Sequence, residues 1–329
     1  RPAEPAEPAA GEAPSASLCA NPACWEPRAP SSIFCGPACS APARARLLAS
    51  ASASAATSTP LGGRGGAQRP SPVARPSAAS AAEADALARC FLEHGLCMLK
   101  NCLPDRDLQV ARSALADNLE RYRLLLAERG LDMESQPFSF QEVVHRSQGR
   151  IDMQLSRGLA PVPLCEASLC EDGPWVPLVR KLLGPEARLL ATGAVVSFPG
   201  APMQERHRDG RRSERAAEAA APSAPHCLTV FAPLVDAPRG GALGGAEFWP
   251  GSHRPGYEEP GEMDEGFTPD FMTGSALLFD SRLLHRGLQN RGTERRPILY
   301  AIWAQPWYED FNFPEASLLD RGTEIAKRR

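Results

Sequence analysis

Aromatic residues are scarce in the first quarter of this chain. Among residues 1–82 only Trp25 and Phe34 carry an aromatic ring, whereas Ala, Pro and Ser fill 49 of the 82 positions. Such a segment cannot bury enough apolar surface to offset chain entropy. It is expected to be disordered, and any core must come from residue 83 onward. Acidic residues are missing too: none lies between Glu26 and Glu83, a gap that holds six Arg. No apolar run approaches the ~18 residues of a membrane span, so no span is expected. A basic excess is also lacking, with 36 Lys+Arg against 39 Asp+Glu and a formal charge of −3. Nucleic acid is therefore not an expected partner. Ten cysteines in 329 residues are too few for a disulfide scaffold. Their scatter suits an intracellular, reducing compartment, with cytoplasm and organelle both left open. The chain opens on Arg rather than Met, which reads as a fragment or processed product whose targeting signal would be missing.

Composition divides the chain into a Pro/Glu/Ala tail (1–17), a cysteine cluster (18–40), an Ala/Ser/Pro/Gly linker (41–82) and one full-sized domain (83–329). The cluster is Cys19-x4-Cys24-x10-Cys35-x3-Cys39. Four thiolates at this spacing could hold one structural Zn²⁺ as a small knuckle that would be unfolded without its metal. Four unrelated thiols, or disulfides, are the alternative. A protein partner recruited through this segment would fit either case.

From Ala82 the pattern becomes periodic. Ala84, Leu87, Phe91 and Leu92 predict a helix stopped by Gly95, and Leu96-Cys97-Met98-Leu99 a short strand. Pro104 and Asp105 open a long helix that Gly130 closes; a further helix runs from Trp175 to Leu183, before Gly184. Strand signals then dominate: Leu189–Phe198, Leu228–Val235, Ser275–Phe279 and Ile298–Ala304, separated by Gly/Pro turns. Helices followed by short strands predict helices packed outside an antiparallel β-sandwich or barrel.

The chemistry-bearing residues lie after residue 200. In His207-Arg208-Asp209-Gly210 an imidazole and a carboxylate stand two apart, so on a strand they share one face. His285, 78 residues on, follows another strand. Two imidazoles and one carboxylate leave open positions on a metal, the arrangement of non-haem Fe(II) oxygenases. His253 in Pro-Gly-Ser-His is the rival second imidazole. Arg296 begins the next strand, and a planar guanidinium suits a carboxylate; its neighbour Arg295 must face the other way.

Four segments in this order resemble the phytanoyl-CoA dioxygenase-like family of Fe(II)/2-oxoglutarate oxygenases: His207-x-Asp209-Gly210 after its strand; Leu228-Thr229-Val230-Phe231-Ala232-Pro233-Leu234-Val235-Asp236; Glu247-Phe248-Trp249-Pro250-Gly251-Ser252-His253; and Gly274–Asp280 running to His285-Arg286-Gly287, Asn290 and Arg296. The resemblance covers roughly residues 83–310. It implies a mainly β domain with flanking helices, built on a double-stranded β-helix (a jelly-roll, cupin-like core). It implies Fe ligation by His207, Asp209 and His285, a salt bridge from Arg296 to 2-oxoglutarate, O₂ as co-reactant and ascorbate as an auxiliary reductant. The implied reaction is hydroxylation of a small-molecule or acyl substrate with release of succinate and CO₂. Many members carry Ser two residues after the second His; here it is Gly287, and Thr192 is the candidate for the missing hydroxyl contact. Related halogenases lack the carboxylate that Asp209 supplies, so an oxidation is expected. The loop from Gly210 to Pro225, with Arg211, Arg212 and Arg215, reads either as a lid for an anionic substrate or as a solvated insertion. A non-catalytic metal-binding or regulatory barrel and a cupin-like zinc hydrolase are the alternatives, though neither gives Arg296 a role.

Overall fold

A computed structural model of the chain describes residues 18–19, 81–155, 173–209, 224–309 and 314–320. Three helices precede most of the strands. Helix α1 (Ala81–His94) buries Leu87, Ala88, Cys90 and Phe91 on one face. It ends where Gly95 takes φ +80° and donates its N–H to Phe91 O at 2.7 Å, a left-handed turn that glycine adopts without strain. Helix α2 (Asp105–Glu128) starts after Pro104, with Asp105 and Asp107 in its first turn, and buries Leu108, Ala111, Leu115, Leu119, Tyr122 and Leu126 at helical spacing. Helix α3 (Val176–Leu183) follows Trp175 and stops at Gly184.

The strands are β1 (Leu18–Cys19), β2 (Leu96–Leu99), β3 (Val143–Ser147), β4 (Arg150–Gln154), β5 (Arg188–Ser197), β6 (Cys227–Pro233), β7 (Ala246–Phe248), β8 (Ala276–Asp280), β9 (His285–Gly287) and β10 (Arg296–Ala304). Eight form one antiparallel sheet, ordered β1-β2-β8-β6-β10-β5-β4-β3; β7 and β9 form a second. Bridges from His207 to His285 and from Phe267 to Phe248 widen the small sheet on both sides. This is a mainly antiparallel β domain with few helices, consistent with the jelly-roll core expected from the sequence.

Strand β10 shows how the period-2 rule sorts the two faces. Leu299, Ala301 and Trp303 join the core that contains the helix residues, together with Ala194 and Val196 of β5. Arg296, Ile298, Tyr300 and Ile302 point the other way, into a cavity between the sheets. The gap between the sheets is filled by a separate cluster that includes Leu96, Phe248, Phe271, Leu277 and Phe279. Strands β1, β3, β4, β7 and β9 were not expected from the sequence, whereas the expected helices and longer strands are present. Of the cysteine cluster, Cys24, Cys35 and Cys39 lie outside the described residues, and Cys19 enters only through its backbone, paired with Met98. No helix among the described residues is long and apolar enough to cross a membrane.

Candidate metal and cosubstrate site

The site is built from two backbones that meet. His207 and His285 face each other across an antiparallel bridge: each N–H donates to the other's carbonyl at 2.9 Å. Directly opposed residues project to the same face, so the imidazole rings come together at 4.4 Å between centroids. Asp209, two residues past His207, brings its Oδ1 to 3.8 Å from His207 Nε2 and 3.6 Å from His285 Nε2. The three donor atoms lie within 4.8 Å of one another. Both rings are oriented alike: His207 Nδ1 lies 2.9 Å from Glu205 O and His285 Nδ1 2.9 Å from Leu283 O. A carbonyl can only accept, so each Nδ1 carries the hydrogen and each Nε2 keeps a lone pair turned towards the shared centre. Burial pushes the His285 imidazole below its ordinary pKa, with Asp209 pulling the other way and His207 adding to the drop. The neutral ring that a metal needs is therefore favoured. Phe279 and Phe248 wall His285 at 5.0 and 5.7 Å between centroids. The donor set suits a divalent first-row metal with open positions.

At the far end of the same cavity are two buried guanidinium groups. Arg296 Nη2 donates to Ser197 Oγ (2.9 Å) and Nη1 to Leu243 O (2.8 Å) and Leu288 O (3.2 Å). Arg150, on β4, donates from Nε to Ser197 Oγ (2.9 Å) and from Nη2 to Leu288 O (3.1 Å). Arg296 Nε and Arg150 Nη1 have no acceptor, and among the described residues neither arginine pairs with a carboxylate. Burial pushes Arg296 down to about 9, with Arg150 adding to the drop, and burial alone pushes Arg150 down to about 10. Two desolvated cations with unsatisfied donors are a ready site for a carboxylate.

Sequence reasoning missed Arg150, which no motif spacing marks. A side chain at Gly287, where a serine was anticipated, would come within 3.4 Å of Arg150 Cζ and 2.5 Å of Gln204 Oε1. The glycine thus leaves room for the Gln204 side chain, with Arg150 at ordinary contact distance. Thr192 does not supply the expected hydroxyl. It shares the face of Ala194 and Val196, turned to the helices, while Val195 and Ser197 take the cavity side. Ser197 is the hydroxyl that meets Arg296. Arg295 stacks outside on Phe198, at 5.2 Å. His253 faces away from the triad, bonded through Nε2 to Leu92 O at 3.2 Å. Residues 210–223, with Arg211, Arg212 and Arg215, lie outside the described residues.

Between the triad and the arginines stands a third group. Asp152 accepts from Arg146 Nε (3.0 Å) and Nη2 (2.7 Å) at Oδ2 and from Tyr300 Oη (2.9 Å) at Oδ1. Tyr300 reaches it by crossing Gly193, where a Cβ would lie 2.2 Å from the phenol ring.

A family model described as Phytanoyl-CoA dioxygenase (PhyH) matches residues 91–298. The chain belongs to the phytanoyl-CoA dioxygenase family. As a member it is an iron- and 2-oxoglutarate-dependent oxidoreductase. No curated protein matches it. Among solved structures, EvdMO1 is similar at 19% identity and TM-score 0.50, over 68% of this chain and 50% of that one, so the chain spans about half the length of EvdMO1. AviO1 from Streptomyces viridochromogenes aligns at 17% identity and TM-score 0.48, covering 70% of this chain and 99% of that one. The epimerase SnoN in complex with Fe3+, alpha ketoglutarate and nogalamycin RO aligns at 17% and 0.47, covering 73% and 97%.

Proposed function

We propose that this family member is an Fe(II)- and 2-oxoglutarate-dependent dioxygenase that hydroxylates an organic substrate, with His207, Asp209 and His285 holding the metal and Arg296 and Arg150 holding the distal carboxylate of the cosubstrate. The observation that carries this reading is the pair of buried, unneutralised guanidinium groups in the cavity of the two-His, one-carboxylate cluster. Neither a regulatory barrel nor a zinc hydrolase needs a carboxylate clamp there. Bound iron with 2-oxoglutarate and O₂ would supply the oxidising chemistry, with succinate and CO₂ as coproducts and ascorbate as an auxiliary reductant.

The chain's own residues have four tasks. Glu205 O and Leu283 O fix the imidazole tautomers. Ser197 Oγ and Leu288 O aim both guanidinium groups. Phe248 and Phe279 exclude water from the His285 side. Tyr300 and Arg146 keep the Asp152 carboxylate engaged beside the site. The test is calorimetric. The protein should bind Mn(II) and then 2-oxoglutarate, and with Fe(II) and O₂ it should release succinate. His207→Ala should lose metal-dependent 2-oxoglutarate binding and keep its far-UV spectrum. Metal-dependent binding that survives in that variant would remove the assignment.

A further inference from the structure

One wall of the cavity contains an ion pair that is within reach and is not made. Strand β4 turns Arg150 and Asp152 to the same side, and both line the cavity. Alternate residues of a strand stand ~7 Å apart, at ~3.3 Å of rise per residue. A long side chain spans that separation. Arg150 is 1% exposed and Asp152 7%. Two opposite charges buried this close together ordinarily neutralise each other, because each otherwise lacks hydration and a partner. Here Asp152 faces the other way.

Competing hydrogen bonds explain why. Arg150 has committed Nε to Ser197 Oγ (2.9 Å) and Nη2 to Leu288 O (3.1 Å), which leaves only Nη1 without an acceptor. Ser197 Oγ also accepts from Arg296 Nη2 at 2.9 Å, so the serine ties the two guanidinium groups together. Asp152 accepts three bonds from the opposite direction. Arg146 donates to Oδ2 from Nε (3.0 Å) and Nη2 (2.7 Å), and Tyr300 Oη donates to Oδ1 (2.9 Å). Arg146 comes from β3, the strand beyond β4 at the sheet edge, and keeps 31% of its side chain exposed. Water therefore shares the cost of its charge, which it does not do for Arg150.

Resting on the cosubstrate reading above, we infer that Arg146 and Tyr300 form a latch on Asp152: they hold its carboxylate away from Arg150, so that the Arg150–Arg296 pair stays unneutralised for the distal carboxylate of 2-oxoglutarate. Arg146 is thus a positioning residue that acts on the cosubstrate through Asp152. Without it a buried carboxylate loses its counter-charge and two of its three hydrogen bonds. Leaving such a charge unpaired is strongly unfavourable, and the unpaired cation on its own strand is Arg150. Asp152 would then occupy Arg150 in place of the cosubstrate.

The experiment is titration calorimetry on the full chain loaded with Mn(II), with two ligands. One is 2-oxoglutarate; the other is 2-oxopentanoate, which keeps the 2-oxo acid end and lacks the distal carboxylate. Arg146→Met should weaken 2-oxoglutarate binding about 10-fold or more, the loss of one charge-assisted pair. It should leave 2-oxopentanoate binding as in the wild type. Adding Asp152→Asn to that variant should restore 2-oxoglutarate affinity, because the competing charge is gone, and Asp152→Asn alone should not weaken it. Arg146→Lys, which keeps a counter-charge for Asp152, should stay near the wild type. A substitution that merely loosened the wall would weaken both ligands, and a second change beside it would not repair the loss. Three results would overturn the inference: undiminished 2-oxoglutarate affinity in Arg146→Met, an equal loss for both ligands, or a loss that persists in the double variant. Failure of the underlying cosubstrate reading looks different, because Arg296→Met would then bind 2-oxoglutarate as tightly as the wild type.

Discussion

Arg150 and Arg296 both donate to Ser197 Oγ, and the nearby Arg150 raises the cost of charging Arg296. Buried charges without a partner weaken a fold, and neutral side chains of similar volume often strengthen it. Arg150→Met and Arg296→Met should therefore leave the anion-free protein at least as stable to heat as the wild type. Each should raise the 2-oxoglutarate dissociation constant ~10- to 150-fold, equivalent to the ~1.5–3 kcal/mol of a charge-assisted pair. Titration calorimetry beside thermal melts reads both effects. Gly193 sets a second limit at this scale. A methyl group there meets the Tyr300 ring at 2.2 Å and Met153 O at 2.6 Å. Gly193→Ala should cost ~1–3 kcal/mol by overpacking and release Tyr300 from Asp152, visible as a lower melting temperature. That His207, Asp209 and His285 come together, with Arg296 in the same cavity, was legible from their spacing and from the family resemblance. Arg150 has no such signature. Thr192 was misread because the strand's parity, which decides its face, depends on a register that the sequence does not display.

At the level of elements, the strands that escaped notice are those whose polar faces serve the site. In β4, Ile151 and Met153 enter the core, while Arg150 and Asp152 turn to the cavity. Its five residues alternate polar and apolar side chains, but with only two apolar members the alternation is too short to stand out. Strands β7 and β9, three residues each, are too short for any periodicity. A loop behind them braces the neighbours of His207 and His285. Arg206, next to His207, lies 4.6 Å from the Trp249 ring and donates to the carbonyls of Pro260, Gly261, Glu262 and Asp264. Arg286, next to His285, lies 5.3 Å from the same ring and pairs with Glu247 at 2.6 Å, whose other oxygen accepts from Gly266 N. Segment 260–266 thus buttresses both histidine strands from the side away from the His207–Asp209–His285 cluster. Arg206→Ala should weaken Mn(II) affinity several-fold with little change in helix content. Arg206→Lys should not restore it, because one ammonium has only three donors for four carbonyls.

For the molecule as a whole, acid should act through buried histidines outside the metal cluster. Burial pushes His226 and His253 below the ordinary imidazole value of 6.5. The unfolded chain then takes up protons that the folded chain refuses. The stability each contributes is complete above pH 6.5 and is lost as pH falls from there towards the lowered folded value. Asp152, which burial pushes up, carries the opposite sign. Denaturant midpoints of metal-free protein should therefore fall between pH 7 and pH 5, and the slope should flatten in His226→Gln. The reciprocal bond pair between His207 and His285 has one more consequence, which belongs to kinetics. These two backbones, 78 residues apart in sequence, are bridged at this point by only two N–H···O bonds. A metal bound to both imidazoles adds a crosslink at the same place and closes that long loop. Local opening of the cavity's lip then requires breaking coordination as well as hydrogen bonds. Deuterium should enter the His207 and His285 amides together, quickly without metal and slowly with it, while exchange in the middle of β10 stays the same. Two backbone protons would then serve as a clock for metal occupancy, readable in protein that is not turning over.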